Sequence, residues 1–261
     1  MTIWDIHVHL SGVPGKTAAE RTDALLRYAD RLDIERLCVF MGLNWSYDPT
    51  PEDMRRQNDE VIEAVRHRPD RVMGFVYLNP NHVEASLSEL DRCVRDGPLV
   101  GVKLWVARRC HEPELDPIVR RATELRAPVL QHAYLKVAGN LPGESTPAQL
   151  AALSRRHPQS SFICAHAGAE WETGIRDLRD CPNVSVDISG TDPTAGMVEM
   201  AVNELGAKRV LFGSDAGGRS YASQLGKVLG ARISREARAM ILSENARRIL
   251  APILKLKGVN V

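Results

Sequence analysis

The sequence predicts an α/β fold, a (β/α)8 TIM barrel built as a single domain over residues 1–261. Three observations carry this. Short apolar runs alternate with helical patterns to the end of the chain, and eight such pairs can be read. A length of 261 residues is long for an ordinary domain but normal for an α/β barrel. No strand is followed by a Gly-rich phosphate turn, which counts against the other alternating fold, an open nucleotide-binding sheet.

The elements follow in order. Ile3 to Leu10 reads as the first strand, and Thr17 to Arg31 as a helix with apolar residues at Ala24, Leu25, Tyr28, Ala29 and Leu32. Arg36 to Met41 is the second strand. A loop carrying Trp45 and Tyr47 leads to a helix over Glu52 to His67, opened by Pro51 and closed before Pro69. Val72 to Leu78 is the third strand, Val83 to Val94 a helix, and Leu99 to Trp105 the fourth strand. After a loop with Arg108, Arg109 and His111, a helix runs from about Glu114 to Leu125. Pro128 to His132 is the fifth strand, Ala133 to Ser145 a long loop, and Thr146 to Arg156 a helix. Ser161 to His166, Val184 to Ile188 and Val210 to Asp215 complete the strands. Helical segments are expected over Trp171 to Arg179, Ala195 to Leu205 and Ser234 to Leu250.

Bulk composition excludes several classes of function. Apolar residues make up 44% of the chain, ample for a large core, and charged residues 26%, ordinary for a soluble globular protein. The net charge of +1 and the absence of a basic stripe give no reason to expect nucleic acid. No apolar run reaches a membrane span, so no membrane association is expected. The five cysteines are scattered without a Cys-x-x-Cys, and the N-terminus lacks a basic leader. Together these predict reduced thiols and a cytoplasmic protein.

The chemistry collects at the strand ends. On a strand, alternation puts His7 and His9 on one face with Asp5, while Trp4, Ile6 and Val8 face the other way. Paired neutral imidazoles can start a metal site. By itself the pair also fits chance histidines on a polar-faced edge strand. Lys103 falls near the end of the fourth strand, His132 closes the fifth, His166 the sixth and Asp215 the eighth. In a barrel these ends share one mouth, where active sites lie.

At these positions the chain resembles the amidohydrolase superfamily, in its amidohydrolase 2 branch of metal-dependent TIM-barrel hydrolases and decarboxylases. The resemblance rests on Asp5-Ile-His-Val-His9, Gly101-Val-Lys-Leu104, His132, Ala165-His-Ala-Gly168 and Leu211-Phe-Gly-Ser-Asp215. The C-terminal Ser243-Glu-Asn-Ala-Arg-Arg-Ile-Leu250 adds to it. The resemblance implies that His7, His9, His132 and Asp215 bind one divalent metal ion, zinc or else manganese. His166 would face the substrate or a second metal, and Asp215 would double as the proton acceptor for water. Three imidazoles and a carboxylate leave zinc room for one more ligand, and such a metal brings the pKa of water to ~7. Gly213 shares the strand face of Asp215 and leaves room beneath it.

Lys103 admits three readings: pairing with a buried carboxylate such as Asp5 or Asp187, binding a substrate carboxylate, or carbamylation to bridge two metals. The resemblance favours the charged, unmodified amine. Cys164 should share the face of His166 as a small core residue. Trp45, Arg108, Arg109, Tyr134, Lys136, Trp171 and Arg219 follow strands as loop residues. As a set they suggest a small anionic, planar or cyclic substrate, with Arg108, Trp45, Tyr134 and Arg219 the selected contacts. The expected activity is hydrolysis of a lactone, ester or amide bond through a metal-activated water. Non-oxidative decarboxylation of a small aromatic acid and a TatD-like phosphoesterase are the alternatives, and homo-oligomers are possible.

Overall fold

The computed structural model describes residues 2–259. Its centre is eight parallel strands: β1 Ile3–His9, β2 Ile34–Phe40, β3 Val72–Tyr77, β4 Gly101–Leu104, β5 Val129–Gln131, β6 Phe162–Cys164, β7 Val184–Asp187 and β8 Val210–Leu211. Each strand pairs with the next in sequence, in parallel. The ring closes from β8 back to β1 through Ile6 N–H to Phe212 O (3.1 Å), Asp215 N–H to His7 O (2.8 Å) and His9 N–H to Ala216 O (2.7 Å). This is the predicted (β/α)8 barrel.

The helices form the outer layer: α1 Ala18–Asp30, α2 Pro51–His67, α3 Val83–Leu90, α4 Asp116–Glu124, α5 Pro147–Arg156, α6 Trp171–Asp177, α7 Met197–Leu205, α8 Tyr221–Leu229, α9 Arg235–Ala239 and α10 Asn245–Leu256. Their starts are written locally. Thr50 accepts the Asp53 N–H ahead of Pro51, and Thr146 with Gln149 completes a capping box ahead of Pro147. Strands β3 to β7 are buried on both faces between the barrel interior and this layer. Continuous apolar runs are what that environment requires.

Three expectations need correction. The segment after Asp215 contains α8, which the periodicity did not reveal, because Gly226 inside it dilutes the helical signal. The last predicted helix is α9, a single π turn at Met240–Glu244, and α10, which continues to Leu256 through Pro252. Strands six and eight end early: His166 (φ 62°) and Asp215 (φ 59°) have left the extended conformation. The alternation that gave Cys164 the face of His166 therefore does not reach that far, and Cys164 lies buried in the core.

A short parallel ladder of Tyr134–Leu135 with Gly168–Ala169 sits apart from the barrel sheet. No helix among the described residues is long and apolar enough to cross a membrane.

Candidate metal centre

Alternation along β1 sends Asp5, His7 and His9 inward and Trp4 outward, where the Arg36 and Arg247 guanidiniums stand 5.3 and 5.0 Å from its ring. Inside the barrel His7, His9 and Asp215 converge. The Asp215 Oδ1 lies 3.1 Å from His9 Nε2 and 3.5 Å from His7 Nε2. His132 Nδ1 and His166 Nε2 are 3.2 Å apart, and the His7 and His166 rings lie 4.9 Å apart between centroids. All four histidines are buried. Among the described residues the ligand atoms of His7, His9 and Asp215 lie within 4.8 Å of one another, as do those of His7, His166 and Asp187, and His132 adjoins them through His166.

The outer partners of these rings decide which nitrogen faces in. His7 Nδ1 donates to Asp187 Oδ2 (2.9 Å), His132 Nε2 to Glu144 Oε1 (3.0 Å) and His166 Nδ1 to Ser189 O (3.2 Å). A carboxylate or carbonyl only accepts, so each of these nitrogens carries the proton. The inward nitrogens, His7 Nε2, His132 Nδ1 and His166 Nε2, then present lone pairs. Lone pairs facing each other at 3.2 Å repel unless a cation or a proton donor stands beside them. Ligand atoms sharing an ion at about 2.1 Å stand roughly 3.0–3.5 Å apart, the range seen here. The donor set fits a divalent metal. Orienting carboxylates behind the ligands are the usual second layer of such sites.

Asp187 and Glu144 are the functional residues that reading the sequence did not place. Asp187 Oδ1 accepts the N–H groups of His166 (3.1 Å) and Ser189 (3.0 Å) while Oδ2 holds His7. Burial would raise its pKa, yet the electrostatic attraction and hydrogen bond of the His7 Nδ1–H hold it well below the usual carboxylate range. Glu144 also accepts from Lys136 Nζ (2.8 and 2.7 Å) and Leu141 N–H (2.9 Å). Burial opposes these bonds, but His132 and Lys136 bring it down to about 2. The strand spacing gave Asp187 a place; nothing in the long loop singled out Glu144.

Glycine and strain shape the floor and the back wall. A Cβ at Gly213 would stand 2.9 Å from the His7 Cβ, and one at Gly190 2.3 Å from His166 Nδ1. His166, Ala167, Gly168 and Ala169 are four consecutive left-handed residues, and Asp215 is a fifth. Such non-glycine conformations store strain that surrounding contacts must hold. Beneath the site, Asp5 Oδ1 accepts the N–H groups of His7 (3.1 Å) and Ser214 (2.9 Å), tying β1 to the loop after β8. Burial pushes Asp5 up to about 7.

Lys103 reaches the cluster, but from below. It is fully buried, does not line the cavity, and among the described residues pairs with neither Asp5 nor Asp187. Its Nζ lies 3.4 Å from His7 Nε2 and 4.5 Å from the Phe40 ring centroid. Burial pushes it down to about 8. A substrate contact is therefore not what the structure shows. An ammonium here competes with a metal for His7, whereas a carbamylated lysine would be a ligand. Lys103→Met should bind metal at least as tightly as wild type, measured by equilibrium dialysis. Loss of metal in that variant would establish the carbamate.

A cavity of 260 Å³ opens on His9, His132, His166 and Asp215. Trp45, Tyr47, Trp105 and Tyr134 wall it. Trp45 lies 4.3 Å from His9, Tyr47 lies 4.7 Å from Trp105, and Tyr134 stacks on His132 at 5.2 Å. Arg108 is not brought to it: Asn81, Glu112 and Glu114 hold its guanidinium at 2.8, 3.0 and 2.7 Å. Arg219 and Trp171 line an adjoining cavity instead. Larger spaces lie at the strand N-terminal ends and beside α1, but neither has a metal-ligating side chain in its walls.

The buried imidazoles make the metal-free protein acid-sensitive. Burial pushes His9 down to about 3 and His132 to about 4, and holds His166 well below its ordinary value of 6.5. Unfolded, each takes up a proton near 6.5; Asp5, raised to about 7 in the folded chain, offsets one of the three, and the unfolded chain still binds more protons. Stability is thus fully present above that pH and lost as pH falls toward the folded values. Chelator-treated protein should lose at least about 5 °C of Tm between pH 7 and 5. A flat Tm over that range would contradict the buried neutral assignment.

A closed parallel barrel with histidines and an aspartate gathered at its C-terminal mouth defines the class, metal-dependent TIM-barrel enzymes. The profile of the amidohydrolase family matches residues 4–251, and the chain belongs to that family. No curated protein matches the chain at a significant level. Among solved structures it is similar to a dihydroxybenzoic acid decarboxylase from Polaromonas with bound manganese and 2-nitroresorcinol. The two are 20% identical over 97% of each chain, with a TM-score of 0.74. It is also similar to 5-carboxyvanillate decarboxylase from Sphingomonas paucimobilis (14% identity, 96% and 98% of the two chains, TM-score 0.73). A third is 4-oxalomesaconate hydratase from Rhodopseudomonas palustris (17%, 98% of each chain, 0.73). At these identities the likeness shows the shared fold.

Proposed function

We propose that the chain is a metal-dependent enzyme that removes carbon dioxide from a small aromatic carboxylic acid. The observation that carries this is the cavity walled by Trp45, Tyr47, Trp105 and Tyr134, opening directly on the histidine and aspartate cluster. Flat aromatic walls accept a planar ring by stacking and keep water away from it. The names of the fold's solved relatives, decarboxylases of hydroxylated benzoic acids among them, support the same substrate class.

His7, His9, His132 and Asp215 are proposed to hold one divalent ion, zinc or manganese. When bound, such an ion supplies a Lewis acid toward an anionic oxygen of the substrate. The chain's own residues do the rest. The aromatic walls fix the ring plane, and His166 faces the reacting end. Loss of carbon dioxide breaks the ring–carboxyl bond and requires a proton at the ring carbon. Asp215, ionised at rest and with its side chain 16% exposed at the cavity, is the group placed to relay that proton from solvent to the ring carbon.

A second reading, hydrolysis of a lactone, ester or amide, is favoured by the charge state of Asp215. Burial would raise its pKa, but the His9 hydrogen bond and the neighbouring imidazoles hold it well below the usual range. That keeps the carboxylate ionised, the state from which a general base acts on water, although the same neighbours weaken its hold on the proton. Metal-loaded protein incubated with hydroxybenzoic acids and with aromatic lactones separates the two. Carbon dioxide release without ring opening supports decarboxylation. Ring opening alone transfers the assignment to hydrolysis, and inertness toward both sets removes the aromatic substrate.

A further inference from the structure

A second cavity, of 510 Å³, adjoins the aromatic one, and Tyr134 and Lys136 line both. Its walls include Tyr134, Leu135 and Ala169 of the short ladder, the Gly190–Thr191 turn and Arg219.

Arg219 is fixed in place. Its backbone N–H donates to Asp215 O (2.9 Å), so it follows the cluster aspartate by one tight turn. Its Nε donates to Gly190 O (2.9 Å), in the turn that packs against His166. Burial raises the pKa of the Tyr134 hydroxyl, and the Arg219 guanidinium beside it, by charge and hydrogen bonding, opposes that rise. Of the other loop cations predicted around the mouth, Lys136 is neutralised by Glu144 and Arg108 by Glu112 and Glu114, while Arg109 lines neither cavity. Arg219 forms no ion pair with any carboxylate among the described residues, although Glu170 and Asp192 also line this cavity.

An oriented guanidinium without a carboxylate partner suits a bidentate contact with one. We infer that the outer cavity is a subsite for a second anionic group, and that the substrate is a planar diacid. One acid end lies at the histidine and aspartate cluster. The other passes Tyr134 and is bound by Arg219. Glu170 and Asp192 also line this cavity and repel an anion, so binding there depends on direct contact with Arg219. The inference rests on the aromatic-acid reading of the inner cavity.

Calorimetric titration of manganese-loaded protein with benzoate, isophthalate and terephthalate tests it. In wild type at least one diacid should bind about 10-fold or more tighter than benzoate, the scale of one charge-assisted contact. In Arg219→Met that ratio should fall to near one, and Arg219→Lys should keep part of it. Arg219 is exposed, so these variants should fold. Diacids no tighter than benzoate, or a preference that survives in Arg219→Met, would overturn the subsite and leave the aromatic-acid reading standing. Failure of all three acids to bind would overturn both.

Discussion

Asp215→Asn protein is expected to keep metal, somewhat more weakly held, and to lose turnover by about 10²–10⁴-fold. In the native site the Asp215 Oδ1 faces His9 Nε2 and His7 Nε2 at 3.1 and 3.5 Å. Asparagine keeps the shape and one carbonyl oxygen for that position. It cannot take up or deliver the proton that either proposed reaction requires. The backbone conformation is no obstacle, because φ at this residue is 59° and asparagine tolerates the left-handed region well. The turn itself is held by the backbone: Gly218 and Arg219 N–H groups donate to Asp215 O at 3.1 and 2.9 Å, bonds the substitution leaves alone. Elemental analysis and single-turnover rates on the substrate found by the carbon dioxide and lactone assays give the two numbers. A metal-replete variant with near wild-type turnover would remove Asp215 from the mechanism.

The barrel was legible because its signals are local. Alternation placed His7 and His9 on one face, and Pro51 and Pro147 open α2 and α5. What escaped depends on departures from periodicity. Gly226 hides α8, although Tyr221, Leu225 and Val228 of that helix pack against the barrel. His166 and Asp215 looked like strand residues, since nothing in Ala165-His-Ala-Gly168 or Gly213-Ser-Asp215 announces a left-handed backbone. Tertiary contacts impose that conformation: Asp187 Oδ1 accepts the His166 N–H, and His7 O accepts the Asp215 N–H.

The metal-ligand types at the strand ends were visible as a class, while their orienting partners were not. Asp187 was considered only as a partner for Lys103, and the structure gives it to His7. Sequence position cannot separate these pairings, because in a barrel the residues of β1, β4 and β7 all point to one axis. Arg108 and Arg219 looked equivalent as loop arginines. Glu112 and Glu114, close to Arg108 in sequence, claim its guanidinium. Asp215 stands at the same four-residue spacing from Arg219, but its carboxylate faces His9 and His7 instead, so spacing alone could not separate the two arginines.

His7→Ala is expected to abolish stoichiometric metal binding, and Asp187→Asn to weaken it by roughly 10–100-fold, the usual cost of losing an orienting partner. The second effect follows from proton placement. Asp187 Oδ2 accepts the proton on His7 Nδ1 at 2.9 Å, which leaves Nε2 bare and turned toward Asp215 Oδ1. Asp187 Oδ1 is already occupied by the N–H groups of His166 and Ser189. An asparagine there must keep its single carbonyl oxygen toward those two donors. Its amide NH2 then faces His7 Nδ1, which becomes an acceptor. The imidazole proton moves to Nε2, the atom the metal needs. Equilibrium dialysis with manganese or zinc followed by elemental analysis measures both variants without any substrate, and circular dichroism checks that the barrel has formed. Wild-type metal content in folded His7→Ala would remove β1 from the metal site. Unchanged affinity in Asp187→Asn would show that the His7 tautomer is set by Ser189 Oγ, 3.1 Å from the same nitrogen.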